Sequence, residues 1–209
     1  MNIFMSFMEL IGVISFALSG AIVALKKEMD AFGVCIMSLT TAFGGGIVRD
    51  LIIDEVPPAV FNSKELVVVA ILVSIITFIF CNKLNINKYR DKFNFLVLLS
   101  DSMGLGAFTI IGANAAINKG FSNNYMLVVA VATITGVGGG VLRDVFASEK
   151  PFIFVKYIYP SAAIVGAILY IILIKYVSIE ISSYACAFIV VMIRLVSEKY
   201  NIHYPRKKI

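Results

Sequence analysis

Residues 44–50 read Gly44-Gly45-Gly46-Ile47-Val48-Arg49-Asp50, and residues 138–144 read Gly138-Gly139-Gly140-Val141-Leu142-Arg143-Asp144. The match continues at the same offset, because Glu55 and Pro57 correspond to Glu149 and Pro151. Upstream, at an offset two residues shorter, further equivalent positions pair Glu9, Gly12, Phe16 and Gly20 with Asp101, Gly104, Phe108 and Gly112. A repeated motif of this length, with matching flanks, indicates an internal duplication of the chain.

The chain around these motifs is too apolar for a water-soluble protein. Of its 209 residues, 60% are hydrophobic and 15% are charged, whereas soluble domains average about 45–50% and about 25%. Seven stretches are long enough to cross a bilayer, which takes about 20 apolar residues as a helix. They are residues 3–25, 31–53, 65–81, 93–117, 125–146, 157–175 and 181–196. The sequence therefore predicts an all-α membrane protein with seven transmembrane helices, and it excludes a soluble enzyme.

Each copy of the repeat contains three predicted spans. Because three is an odd number, the second copy begins on the opposite side of the membrane, which makes the copies inverted repeats of the kind found in transporters. We expect the first repeat at 1–83, a basic cytoplasmic linker at 84–92, the second repeat at 93–177, and the seventh helix with a basic tail at 178–209.

The distribution of Lys and Arg predicts the orientation. Thirteen of these residues fall on the side that receives the 84–92 linker and the C-terminal tail, and four fall on the other side. Cytoplasmic loops carry the excess of positive charge, so we expect the N-terminus outside and the C-terminus in the cytoplasm. Arg194, within the last span, is expected to extend to the cytoplasmic interface, and the basic tail to contact anionic membrane lipids. Because the basic residues cluster between apolar runs, nucleic acid is not an expected partner.

The two glycine triplets are unusual within apolar spans. Each glycine in a helix costs about 1 kcal/mol relative to alanine, so three in succession favour a kink or a broken turn. Such a break is tolerated in a membrane where it faces protein or a water-filled cavity. The two interpretations of Gly44–Gly46 and Gly138–Gly140 are therefore a bent, pore-forming helix and close packing of neighbouring helices.

Arg49 and Arg143 are intramembrane charges, which by default mark a functional site with a partner. Adjacent residues on a helix do not face each other, so Asp50 and Asp144 are unfavourable partners for them. Depth in the membrane and the repeat alignment instead predict the pairs Arg49–Glu9 and Arg143–Asp101. These pairs are either structural, balancing buried charge, or functional, gating a conduction path at its two mouths.

Small polar residues supply possible pore-lining groups. The candidates are Ser19, Thr41, Asn114 and Thr135, although hydroxyl groups in such helices often bond to their own backbone instead. The single histidine, His203, lies in the basic tail, and no nucleotide-binding motif is present. We therefore predict no cofactor, no metal site and no enzymatic activity.

The doubled Gly-Gly-Gly-x-x-Arg-Asp motif, on the second span of each three-span repeat, resembles the prokaryotic members of the trimeric intracellular cation (TRIC) channel family. The resemblance covers nearly the whole chain. It implies a homotrimer in the bacterial plasma membrane with one pore for monovalent cations, chiefly K⁺ and Na⁺, in each subunit. It also implies that the first, second, fourth and fifth spans line the pore. The functional positions that it assigns are both glycine triplets, Arg49, Asp50, Arg143 and Asp144.

Bacterial sequences of this group have also been described as glycine transporters. Inverted repeats and broken helices serve a passive channel and an alternating-access carrier equally well. A transporter of a small neutral amino acid such as glycine is therefore the alternative function, and an inert structural subunit is a third.

Overall fold

The computed structural model describes residues 3–82, 89–155, 158–200 and 202. Its helices are α1 (Ile3–Lys26), α2 (Ala31–Ile52), α3 (Lys64–Asn82), α4 (Arg90–Ala116), α5 (Tyr125–Phe146), α6 (Phe152–Val155), α7 (Tyr159–Leu173) and α8 (Ile179–Lys199). A 3₁₀ turn at Ala59–Asn62 precedes α3, and a π-helical turn at Ile117–Phe121 extends α4. Most of the predicted basic linker, residues 84–88, and most of the basic tail lie outside the described residues.

The architecture is an all-helical membrane protein, as the sequence predicts. Six helices are long and apolar enough to span a bilayer, namely α1, α2, α3, α4 with its extension, α5 and α8. The seventh expected span corresponds to α7, which has 15 residues and rises about 22 Å at 1.5 Å per residue. The described part of the chain contains no strand. The predicted span boundaries agree with the helices to within a few residues, whereas the count of seven spans stays a prediction.

The two copies of the repeat form one packed helical unit, because the helices of one copy contact those of the other. Helix α1 packs on α4 and α2 packs on α5, so equivalent helices face one another. At the centre, the rings of Phe16 and Phe108 lie 5.3 Å apart. A Cβ atom added to Gly104 would overlap the Phe16 ring, and one added to Gly12 would lie 3.0 Å from Phe108. The small residues of each copy therefore accommodate the phenylalanine of the other.

The ends of α2 and α5 are built in the same way. The Asp30 carboxylate accepts a hydrogen bond from the Gly33 amide at 2.7 Å, and the Asn124 side chain accepts one from Leu127 at 3.1 Å. These side chains satisfy amide groups that a helix N-terminus leaves unpaired. After the C-termini, Asp54 and Ser148 have φ of 56° and 55°, the left-handed conformation that turns a chain away from a helix.

Two surface ion pairs occupy equivalent positions in the two copies of the repeat. Lys119 contacts Glu55 at 2.5 Å, and Lys27 contacts Glu149 at 2.9 Å. Each pair joins the end of the first helix of one copy to the loop after the second helix of the other. The duplication thus extends from the core to the exposed connections.

Candidate conduction site

The glycine triplets lie where α2 crosses α5. The α-helix runs without interruption through both triplets, so the expected break is not confirmed. A Cβ atom added to Gly45 would overlap the Thr135 carbonyl oxygen, and one added to Gly139 would overlap that of Thr41. A Cβ atom on Gly138 would lie 2.9 Å from Cα of Gly45. These contacts support the packing interpretation, because only glycine lets the two backbones approach so closely.

The threonines at this crossing bond to their own helices. The Thr41 hydroxyl donates to the Met37 carbonyl at 2.6 Å, and the Thr135 hydroxyl donates to the Val131 carbonyl at 2.6 Å. Both side chains are buried, and Asn114 is half-buried on α4. Of the four lining candidates, only Ser19 joins the charged cluster described next.

Arg143 is fully buried, with 0% of its surface exposed, and it donates hydrogen bonds to three described side chains. Its Nη1 donates to Asp101 Oδ1 at 2.5 Å and to Ser19 Oγ at 2.5 Å. Its Nε and Nη2 both donate to Asp144 Oδ1, at 2.9 Å and 2.8 Å. The predicted pair Arg143–Asp101 is confirmed, and Asp144 is a second partner that helix geometry had disfavoured.

Arg49 has a different environment, and the prediction for it was wrong. Its Nε donates to Asp50 Oδ1 at 2.7 Å, and no ion pair joins it to Glu9 within the described part of the chain. The spacing rule concerns where Cβ atoms point, whereas the long arginine stem folds along the helix and reaches the next residue. Glu9 is half-buried and lies within electrostatic range of Arg49 and Asp50.

Both aspartates also hold the loop that follows their helix. The second oxygen of Asp50 accepts a hydrogen bond from the Ala59 amide at 2.8 Å, and that of Asp144 accepts one from the Phe152 amide at 2.8 Å. Pro58 stands at the position equivalent to Phe152 and has no N–H, which explains the shift by one residue to Ala59. Sequence reasoning missed this role, although the repeated prolines after the motif were a signal of a fixed turn.

A cavity of about 1040 Å³ leads to the Arg143 cluster. Exposed residues at the end of α1, among them Lys27 and Glu28, line its mouth, and the buried residues Asp101 and Arg194 line its interior. It opens at the face of the molecule where α1 and α8 end and α4 begins. The distribution of Lys and Arg predicts that this face is cytoplasmic.

Arg194 is the second residue that differs from expectation. It is 1% exposed and does not extend to an interface. Its guanidinium carbon lies 4.4 Å from the centre of the Tyr159 ring, and stacking on an aromatic ring stabilises a buried cation. Among the residues that the structure describes, no group of His, Cys, Asp and Glu side chains is arranged to hold a metal ion.

Comparison with known proteins places these features in a family. A family model described as "Glycine transporter" matches residues 6–82 and 98–175. The UPF0126 membrane protein YvgT of Bacillus subtilis (strain 168) is 36% identical over 200 residues, covering 96% of this chain and 95% of that protein.

Solved structures match over almost the full length. A prokaryotic TRIC channel in 0.5 M KCl has a TM-score of 0.89 at 30% identity, covering 98% of this chain and 100% of that one. A structure from work on conductance through TRIC cation channels has a TM-score of 0.83 at 34% identity, covering 98% of this chain and 97% of that one.

Proposed function

This chain belongs to the glycine transporter family that includes the prokaryotic TRIC channels, and from that premise we propose that it conducts monovalent cations. The permeant ions are K⁺ and Na⁺, the membrane is the bacterial plasma membrane, and each subunit of a homotrimer has its own pore. The N-terminus lies outside and the C-terminus in the cytoplasm. The solved relatives named for cation conductance support this assignment.

The observation that carries the proposal is the cavity that ends at Asp101. A carboxylate at the inner end of a polar cavity attracts cations. Arg143 binds this carboxylate and Ser19 together, and the α2–α5 crossing lies beside them. We assign the crossing and the Arg143 cluster to a closed pore, in which conduction requires Arg143 to release Asp101. Glu9, Arg49 and Asp50 form the opposite mouth.

Purified protein in a planar bilayer under a KCl gradient tests this function. We expect unitary currents that reverse near the K⁺ equilibrium potential. Asp101→Asn should lower the unitary conductance severalfold, because the cavity loses a buried negative charge, and it should raise the open probability, because Arg143 loses an ionic partner. Asp91→Asn, an exposed aspartate near the start of the same helix, is the matched control and should conduct as the wild type does. Reversal at the Cl⁻ potential would overturn the proposal.

Transport of a small neutral amino acid such as glycine is the second candidate. The family description favours it. The cavity also favours it, because it leads from one face of the molecule to buried charges. An alternating-access carrier has a cavity of this form when it is open to one side of the membrane. Proteoliposomes loaded with unlabelled glycine should then accumulate labelled glycine by saturable exchange. Saturable exchange without unitary currents would replace the channel by the carrier.

A further inference from the structure

Arg194 is a buried cation that forms no ion pair with the residues that the structure describes. It lies on α8, outside both repeats, and its Nε and Nη1 atoms are buried without a hydrogen-bond partner in the described part of the chain. Burying a charge is costly unless the charge is paired and its hydrogen bonds are made. The Tyr159 ring covers one face of the guanidinium group, but a ring does not accept the in-plane N–H groups. These N–H groups therefore require an acceptor that no described residue supplies.

The neighbouring carboxylates do not fill this role. Asp101 Oδ1 is bonded to Arg143, and the Asp101 carboxylate also interacts with the Tyr159 hydroxyl. Glu198 follows Arg194 by one helical turn and lines the same cavity, but its Oε2 atom is also buried without a partner. Arg194 and Glu198 thus line the same cavity, and each holds buried polar atoms that no described residue pairs.

We propose that the wall of this cavity binds a small carboxylate, whose oxygens accept the free N–H groups of Arg194. Guanidinium groups bind carboxylates through strong, charge-assisted hydrogen bonds. The negative charge of Glu198, which lines the same cavity, would repel a doubly charged anion. Its unpaired oxygen would instead accept a hydrogen bond from a ligand that carries both a carboxylate and a donor group. At the cavity mouth, Lys27 is paired with Glu149 and Asp30 caps α2, so we assign the binding to Arg194 rather than to the rim. This site is distinct from the Arg143 cluster, whose N–H donors are bonded to protein.

Binding is measured on the full-length protein in detergent, without reference to conduction. Acetate, glycine and inorganic phosphate are titrated at constant ionic strength, and the melting temperature is followed by circular dichroism. We expect acetate or glycine to raise the melting temperature saturably and phosphate to act more weakly. A larger effect of glycine than of acetate would identify the added donor as part of the ligand.

Variants assign the effect to Arg194. Arg194→Gln should weaken binding about tenfold or more, because it removes a charged hydrogen-bond donor. Arg90→Gln is the matched control: this arginine lines the same cavity but is exposed, and binding should stay within about twofold of wild type. An equal loss in both variants would indicate general charge attraction and overturn the site.

A further measurement covers the case in which Arg194→Gln does not fold. Saturation-transfer NMR then measures acetate binding to the wild type and to Arg194→Lys. The lysine keeps the positive charge at this position but lacks the planar set of donors of the guanidinium group. Saturable transfer to the wild type that weakens in the lysine variant supports the site. Absence of transfer to the wild type, or a melting shift that NaCl reproduces at equal ionic strength, contradicts it.

Discussion

The two copies of the Arg-Asp motif occupy equivalent places in the fold and differ in how firmly they are held. Arg143 is 0% exposed and bonds to Asp144, Asp101 and Ser19. Arg49 is 7% exposed and has one ion-pair partner, Asp50, in the described chain. The motif itself therefore fixes only the arginine–aspartate pair and the aspartate-to-loop bond. The surrounding helices determine whether the arginine is also locked into the core.

The alignment identifies the residues responsible for this difference. At the offset that pairs Glu9 with Asp101, the equivalent of Ser19 is Ile111, which offers no oxygen to Arg49. Glu9 lies within electrostatic range of Arg49 without forming an ion pair. One end of the proposed conduction path is thus a tight cluster, and the other is a single Arg49–Asp50 pair with the Glu9 carboxylate near it.

The largest loss of stability should come from removing the Asp101 carboxylate, which pairs with Arg143 and has no paired equivalent at Arg49. Asp101→Asn leaves Arg143 buried with one carboxylate instead of two, and loss of a buried ion-pair partner costs about 3–5 kcal/mol. The equivalent change, Glu9→Gln, removes no ion pair and should cost much less. Denaturation in detergent measures both. Equal losses would mean that the two sites are energetically alike despite their geometry.

Gly46 and Gly140, the last glycines of the two triplets, differ in how tightly their neighbours surround them. A Cβ atom added to Gly140 would lie 2.8 Å from the Tyr159 hydroxyl, whereas one added to Gly46 meets only Arg49 Nη2 at 3.8 Å. Gly140→Ala should therefore cost about 1–3 kcal/mol by overpacking. Gly46→Ala should be neutral or stabilise the protein by up to about 1 kcal/mol through helix propensity. Denaturation in detergent measures both variants. If Gly46→Ala destabilises the protein, Gly46 must contact another group in a conformation other than the one described.

Ser19 tests the third partner of Arg143. Ser19→Ala removes a hydrogen bond to a charged group and should cost about 1.5–3 kcal/mol. If Arg143 closes the pore, the variant should also raise the open probability in bilayer recordings. Ile111→Ser places a hydroxyl at the equivalent position and should leave the recordings unchanged. A Ser19→Ala variant with wild-type stability would show that Asp101 and Asp144 suffice to hold Arg143.

The smallest effect concerns the exposed ion pairs, where the two copies agree. The hydrogen bond and the positive charge of Lys119 lower the pKa of Glu55 below its ordinary value. A lowered folded-state pKa contributes stability above the ordinary glutamate pKa, and this contribution is lost as the pH falls through the lowered value. Titration by NMR should show the lowered pKa in the wild type and its return in Lys119→Gln. An unchanged pKa in that variant would rule out Lys119 as the cause.

The sequence predicts this fold well where the evidence is local or repeated. Apolar runs predict the helices, and the repeat alignment together with depth predicts Arg143–Asp101. The failures occur where tertiary contacts decide. The Arg49–Asp50 pair depends on how a long side chain folds back, whereas the predicted bend at Gly44–Gly46 stays a prediction. The burial of Arg194 depends on a tyrosine from another helix, which no pattern within α8 indicates.

The way in which α1 packs on α4 and α2 on α5 also constrains how such a protein can arise. A half-length ancestor holding one repeat would expose to lipid the small-residue faces around Gly12 and Gly45. The matching face of a second copy would cover them, and the three spans predicted for each copy would require this copy to insert upside down. The ancestor would thus have been an antiparallel homodimer with dual membrane topology. Within one chain the two halves are free to differ, as they do at the equivalent positions Ser19 and Ile111.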